Sequence, residues 1–252
     1  MKLVNKTALI SGGGSGIGKA TALCFAAEGA RVMIAGRRKD PLVETVAEIH
    51  RNGGQAAYVV ADYARVKQVE ESVDAARSAF GTLDILVNNA GVAGFRPILE
   101  VTEEEYEYQT SINLKGLLFA TKFAIPALAE QGGGSIVNIS SGAGLKAVPA
   151  SSVYGLTKAG VVHLTKIVAL ETANMNIRVN CICPGFIETP IFDTFIPKED
   201  LAASKASFRE MTPLKRMGRA DEVAKAALYL VSEDAEWMTG NVITLDGGLN
   251  IA

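Results

Sequence analysis

The sequence predicts an α/β fold: a single doubly wound, Rossmann-like parallel sheet of about seven strands with helices on both faces. Three observations carry this. Short β-rich runs alternate with longer helical patterns along the whole chain. The short runs are apolar throughout rather than alternately polar, as strands covered on both faces must be. The first of them enters a glycine-rich turn, "SGGGSGIGKA" (11–20), and then an Ala-rich helical stretch. Such a turn lets backbone N–H groups meet a phosphate at the positive end of a helix.

The elements follow in order. "TALIS" (7–11) is the first strand, with a helix over about 16–29. "RVMIAG" (31–36) leads to a helix over about 40–52 that stops at Gly53-Gly54. "AAYVVA" (56–61) precedes a helix over about 65–80 closed by Gly81. "LDILVNN" (83–89) is the fourth strand, and a long helical region covers about 102–130, with a bend expected at Pro126. "GSIVNISS" (134–141), a helix over about 151–173, "IRVNCICPG" (177–185), a helix over about 220–232 and "NVITLDGG" (241–248) complete the pattern. No linker or repeat divides the chain, so 1–252 reads as one catalytic domain. The stretch 186–218 reads as irregular, and a compact domain rarely keeps a long loop idle; it is the candidate substrate-binding loop or lid.

Composition sets limits. Hydrophobic residues make up 48% of 252, enough for a large core, and 25 Lys plus Arg against 27 Asp plus Glu leave a net charge of −2. No basic stripe points to nucleic acid or an anionic membrane. No uninterrupted apolar stretch reaches the roughly 20 residues of a membrane span, and the start of the chain lacks a signal-peptide pattern. A cytoplasmic protein is expected. Three cysteines do not make a disulfide framework, and with two histidines in the chain no metal set is expected.

Several motifs carry chemistry. In "YGLTK" (154–158) Tyr154 and Lys158 lie one helical turn apart, on one face. A nearby cation favours a phenolate, which suits proton transfer. In the first turn, the dinucleotide spacing G-x-G-x-x-G does not occur. A phosphate-loop spacing runs from Gly13 to Lys19, but Ala20 replaces the hydroxyl that would hold magnesium. A third spacing, Gly12-x-x-x-Gly16-x-Gly18, is present too. "NNAG" (88–91), Asn113, "NISS" (138–141), "PGFIETP" (184–190) and "LDGG" (245–248) follow in order, with Tyr154 thirteen residues after Ser141. Together these resemble the short-chain dehydrogenase/reductase family over essentially the whole chain.

The resemblance implies an NAD(P)-dependent oxidoreductase that interconverts a ketone and a secondary alcohol. It gives Tyr154 the acid/base role at the substrate oxygen and Ser141 the holding of that oxygen, with Ser140 as a rival. Lys158 would lower the Tyr154 pKa and bind the nicotinamide ribose; Asn113 would fix a water that relays protons to Lys158. Gly12, Ser15, Gly16, Ile17 and Gly18 would cradle the pyrophosphate. Asp62 would meet adenine, and Asn89, Ala90 and Gly91 would border the ribose. Pro184, Gly185, Ile187 and Thr189 would meet the carboxamide. Gly36 stands where NAD-binding relatives carry an acid, and Arg37 and Arg38 follow. Arginine pairs with a 2′-phosphate that an acid would repel, so NADP is favoured, with NAD possible; Ser15 departs from the basic residue many NADP-specific relatives place there.

Phe95, Leu145, Phe186, Phe192, Ile191, Phe195 and Met211 give the expected substrate wall an apolar character, suited to a small-molecule carbonyl or alcohol with an apolar body. A 3-oxoacyl-[acyl-carrier-protein] reductase is the alternative, although "GVAGFRPILEVTEEEY" departs from that group's usual stretch; a non-catalytic dinucleotide-binding regulator comes third. The resemblance implies a homotetramer, with a dimer as the alternative. His163 falls off the reactive face, Glu103–Glu105 after Thr102 reads as a capped helix start, and Trp237 reads as core or interface.

Overall fold

The computed structural model describes residues 1–252. The first half comprises β1 (Thr7–Ser11), α1 (Gly16–Ala27), β2 (Arg31–Gly36), α2 (Lys39–Arg51), β3 (Gln55–Val60), α3 (Val66–Phe80) and β4 (Ile85–Asn88). The second comprises α4 (Glu103–Thr110), α5 (Leu117–Glu130), β5 (Gly134–Ile139), α6 (Ser152–Thr172), β6 (Ile177–Pro184), β7 (Ile187–Glu188), α7 (Leu201–Met211), β8 (Gly218–Arg219), α8 (Ala220–Val231) and β9 (Val242–Leu245). Seven strands form one parallel sheet in the order β3-β2-β1-β4-β5-β6-β9, and β7 and β8 form a separate parallel pair. Ala8 lies between Val32 of β2 and Ile85 of β4. The winding reverses between β1 and β4, so a crevice opens at their carboxyl ends.

Alternate residues of each strand serve opposite faces. Ala8, Ile10, Val32 and Ile34 meet Phe25 of α1, Leu42 and Ile49 of α2, and Val223 and Leu230 of α8. Leu9, Met33 and Ala35 meet Val69 and Val73 of α3, Ala124 and Leu128 of α5, and Val168 of α6. Both faces are covered, which is why the strands read as unbroken apolar runs. The long helical segments Glu103–Glu130 and Ser152–Met175 have mean hydropathies of 1.3 and 1.2, and half of each apolar window is buried inside the fold.

A buried polar chain ties the second half together. Asn88 Nδ2 donates to Thr121 Oγ1 at 3.0 Å and to Asn138 Oδ1 at 2.9 Å; Asn138 Nδ2 donates to Thr165 Oγ1 at 2.9 Å. One chain of side chains thus joins β4, β5, α5 and α6.

Three expectations need correction. The helical region over 102–130 is not one α-helix: a π-helical turn, Ser111–Gly116, separates α4 from α5, and Pro126 sits inside an unbroken α5. A Cβ on Gly116 would lie 2.3 Å from the Tyr63 carbonyl, so the turn closes directly on that backbone. The stretch 186–218 contains β7, α7, β8 and a short 3₁₀ turn at Pro190–Thr194 rather than irregular chain alone. Trp237 is 98% exposed, so of the two readings, core or interface, the first is overturned. The acidic run does cap α4: Thr102 Oγ1 accepts from the Glu105 N–H at 3.3 Å, and Glu105 returns a bond to the Thr102 N–H.

Asn88→Ala leaves Asn138 Oδ1 without its donor inside the sheet. A loss of about 2 kcal/mol is expected, read as a lower urea midpoint with an unchanged m-value.

Candidate active site

The crevice between β1 and β4 is an open cleft of about 660 Å³. The first turn forms its floor. Gly12 takes φ +69°, and a Cβ on Gly18 would lie 2.2 Å from the Gly12 carbonyl oxygen. Only glycine lets the start of α1 close on the end of β1 in this way. Ser15 precedes α1 with an extended backbone, and its hydroxyl makes no capping bond. The cleft therefore meets a helix N-terminus with its donors unclaimed, as a phosphate requires. Gly12 and Ser15 line the cleft; Gly16, Ile17 and Gly18 stand behind it in α1. Lys19 pairs with Glu48 of α2 at 2.7 Å, which removes the phosphate-loop reading.

Gly36, Arg37 and Arg38 form the far wall at the end of β2, with no acid among them. Arg37 Nη2 donates to the Tyr108 hydroxyl at 3.3 Å, and its guanidinium lies 5.9 Å from the ring centroid. Neither arginine is paired with a carboxylate. Asp62 lines the same end, its Oδ1 accepting from Ala64 N at 3.0 Å. Ala90 and Gly91 line the middle. Asn89 lies outside the lining: its Nδ2 donates to the Ser11 carbonyl at 2.9 Å and fastens β4 to β1. Thr189 packs on Gly16 and brings the segment after β6 to the first turn. Pro184 ends β6, and Gly185 N donates to the Leu245 carbonyl at 3.0 Å. The Ile187 side chain is buried in the core, so only its backbone is available to a ligand.

The remaining candidates lie just beyond Gly91, on which a Cβ would stand 3.3 Å from Asn113 Oδ1 and 3.5 Å from Lys158 Nζ. Lys158 is 5% exposed, and its Nζ donates to the Ile139 carbonyl at 3.0 Å. That Nζ stands 5.7 Å from the Tyr154 ring centroid. Burial pushes the Lys158 pKa down to about 8. Burial also pushes the Tyr154 phenol up, against a smaller opposite pull from the Ser141 hydroxyl. The expected lowering of Tyr154 by Lys158 does not appear in the ligand-free chain: desolvation raises the phenol, and the opposing pull comes from Ser141. Ser140 Oγ is buried and donates to the Lys158 carbonyl at 2.7 Å, whereas Ser141 stands beside Tyr154. The geometry separates the two serines.

Asn113 sits in the π-helical turn, 1% exposed. Its Nδ2 donates to the Val92 carbonyl at 2.9 Å and to Thr157 Oγ1 at 3.2 Å; its Oδ1 accepts from Val92 N at 2.8 Å. The amide therefore anchors the loop after β4 to α6 and keeps one lone pair for a water.

On the substrate side, Phe95 packs on Tyr154 with ring centroids 5.5 Å apart, and Phe192 is buried. Phe186 stacks on Phe208 at 4.2 Å. Leu145 and Met211 are exposed at the rim. Sequence reasoning missed Tyr108, Val92 and Phe208. Val92 directly follows "NNAG" and was within reach; Tyr108 and Phe208 come from α4 and α7, whose approach to the site has no local signal.

A doubly wound sheet with a glycine-floored cleft at its switch point, and a Ser–Tyr–Lys set at one end, defines a dinucleotide-binding oxidoreductase. Residues 12–250 match the family model described as Enoyl-(Acyl carrier protein) reductase. The 3-oxoacyl-[acyl-carrier-protein] reductase of Thermotoga maritima is 39% identical over 251 residues, covering 100% of both chains. Cyclohexanol dehydrogenase of an Acinetobacter species is 37% identical over 98% of this chain and 95% of that protein. The crystal structure of levodione reductase superposes with a TM-score of 0.95 at 34% identity, covering 99% of each chain. A short-chain type dehydrogenase/reductase from Mycobacterium marinum gives 0.93 at 37% identity, over 100% of this chain and 98% of that one. The chain belongs to the short-chain dehydrogenase/reductase family. It is an NAD(P)-dependent oxidoreductase of the ketone and secondary-alcohol type.

Lys158→Met removes the burden of a buried ammonium. At pH 7 the cofactor-free variant is expected to unfold at higher urea than the parent. Lys158 binds its proton less readily in the folded than in the unfolded chain. Its penalty is full below about pH 8 and vanishes toward 10.5. The gap between variant and parent should close over that window, and turnover should be lost throughout.

Proposed function

We propose that this protein interconverts a ketone with an apolar body and its secondary alcohol, using NADP. One observation supports the reading. Ser141, Tyr154 and Lys158 stand together just beyond Gly91 of a cleft whose far wall bears two arginines without carboxylate partners and a glycine at the end of β2. Bound NADP would supply or accept the hydride, and its oxidised ring would add positive charge near the phenol. Gly12, Ser15 and the start of α1 would hold its pyrophosphate, Arg37 and Arg38 its 2′-phosphate, and Lys158 its ribose.

The chain's own part is the oxygen. The Ser141 hydroxyl donates to the substrate oxygen and fixes its position. The Tyr154 hydroxyl gives that oxygen its proton in reduction and takes it in oxidation. Lys158 favours the phenolate once the site holds its ligands, and a water on the free lone pair of Asn113 replenishes the proton. Exclusion of bulk water by Phe95 and Phe192 keeps these interactions strong.

Identity to the Thermotoga maritima reductase favours a second reading, reduction of a 3-oxoacyl thioester. A carrier-protein thioester assay decides between the two. We assign the protein to the cytoplasm, on the strength of its three free thiols. We also assign a homotetramer, which the exposed Leu156, Leu170 and Ile251 support as apolar surface awaiting cover.

Tyr154→Phe should reduce turnover at least about a thousandfold while NADPH still binds within about twofold of the parent. Replacing Arg37 and Arg38 together by Ala should lower kcat/KM for NADPH by about tenfold to a hundredfold and leave NADH nearly unchanged. A parent enzyme that prefers NADH would overturn the cofactor assignment.

A further inference from the structure

We propose that Phe95 and Phe195 select the substrate class: a neutral ketone or secondary alcohol whose reactive carbon lies in or next to a ring. Phe95 is the residue that yields its place against Tyr154 to that ring. The proposal rests on the reading of Tyr154 as the acid/base.

Five phenylalanines form an unbroken file that ends on Tyr154. Centroid separations run 5.5 Å from Tyr154 to Phe95, 4.9 Å to Phe195, 5.8 Å to Phe192, 5.2 Å to Phe208 and 4.2 Å to Phe186. The file crosses from the loop after β4 to the segment between β7 and β8 and ends at Phe186, just before β7. Phe95 is therefore the only ring that touches both Tyr154 and that segment. It is also 40% exposed, so solvent lies on its outer side and the ring has somewhere to go.

Its backbone is held through its neighbour, whereas its ring is held by two ring contacts and is partly exposed. The next residue, Arg96, donates its N–H to the Ala150 carbonyl at 2.6 Å and pairs with Glu105 at 2.7 Å. A substrate reaching the Tyr154 hydroxyl must displace the Phe95 ring from its stack. A ring in the substrate restores the lost contacts with Tyr154 and gains Phe195. A flexible chain restores less, and its rotors must be frozen. Offset and tilted ring pairs favour the cyclic substrate by roughly threefold to tenfold.

Neutrality follows from the charges. Arg96 is held by Glu105, Arg209 by Glu188 at 3.2 Å, and Lys146 by the carbonyl oxygens of Leu249 and Ala252. These three cations are thus already engaged, unlike Arg37 and Arg38 at the other end, and Asp193, exposed between Phe192 and Phe195, opposes an anion.

The test compares kcat/KM for acetophenone and 2-octanone, matched in carbon number, with phenylglyoxylate as a charged probe. Acetophenone should lead 2-octanone by about threefold to tenfold, and phenylglyoxylate should trail both. Phe195→Leu should bring the ratio near one by slowing acetophenone alone. Titration of acetophenone into the enzyme loaded with oxidised cofactor should show binding weakened by the same factor. Phe95→Ala should wet the phenol and move the acid limb for 1-phenylethanol oxidation to lower pH. Phe95→Leu serves for the acetophenone-to-octanone ratio if the alanine variant does not fold. Equal turnover of both ketones, a ratio unmoved in Phe195→Leu and Phe95→Leu, or a preference for phenylglyoxylate overturns the ring proposal and leaves the Tyr154 reading intact. NADPH binding with no turnover of any ketone overturns the Tyr154 reading, and this proposal with it.

Discussion

Lys158 fastens α6 to the end of β5 from both of its ends. Its ammonium reaches the Ile139 carbonyl, and its own carbonyl takes the Ser140 hydroxyl. These two bonds fix the strand that presents Ser141 against the helix that presents Tyr154. The site's chemistry depends on this lock, which sets the end of the strand against the helix where the Asn138–Thr165 bond further along joins the same two elements. The cost is a buried ammonium. The cost is tolerated because a bound dinucleotide and substrate would bring the partners that burial removed.

The two ends of the cleft are chemically opposite. At the β2 end, guanidinium groups stand without acidic partners beside a helix N-terminus. At the α6 end, Lys158 is buried, Arg96 and Arg209 are paired, and phenylalanine rings line up instead. A long ligand with an anionic end and a neutral reactive end can lie in this cleft only one way round. Orientation is thereby set by charge before any specific contact forms.

Much of this was legible in the sequence, and the exceptions have physical causes. The strands were legible because burial on both faces leaves an unbroken apolar run; the ends of "LDILVNN" overran because Asn89 keeps the composition while leaving the ladder. The addresses of Ser141, Tyr154 and Lys158 were legible by spacing. Their electrostatics were not, because desolvation depends on what the tertiary fold lays over a residue, and here it reverses the expected effect on Tyr154. The π-helical turn has no residue signature: it exists because Asn113 binds Val92 and Gly116 abuts Tyr63. Helix α7 was missed because none of its residues is buried. It is held instead by the Phe186–Phe208 stack and the Arg209–Glu188 pair.

Trp237 is the chain's single tryptophan, and it stands almost fully in water on the way to β9. Its emission therefore carries a built-in report on company. An isolated chain fluoresces at the red end of the indole range and changes little in colour when it unfolds. A blue-shifted native spectrum means that another copy covers this indole, and the shift then dims with dilution at the rate the copies part.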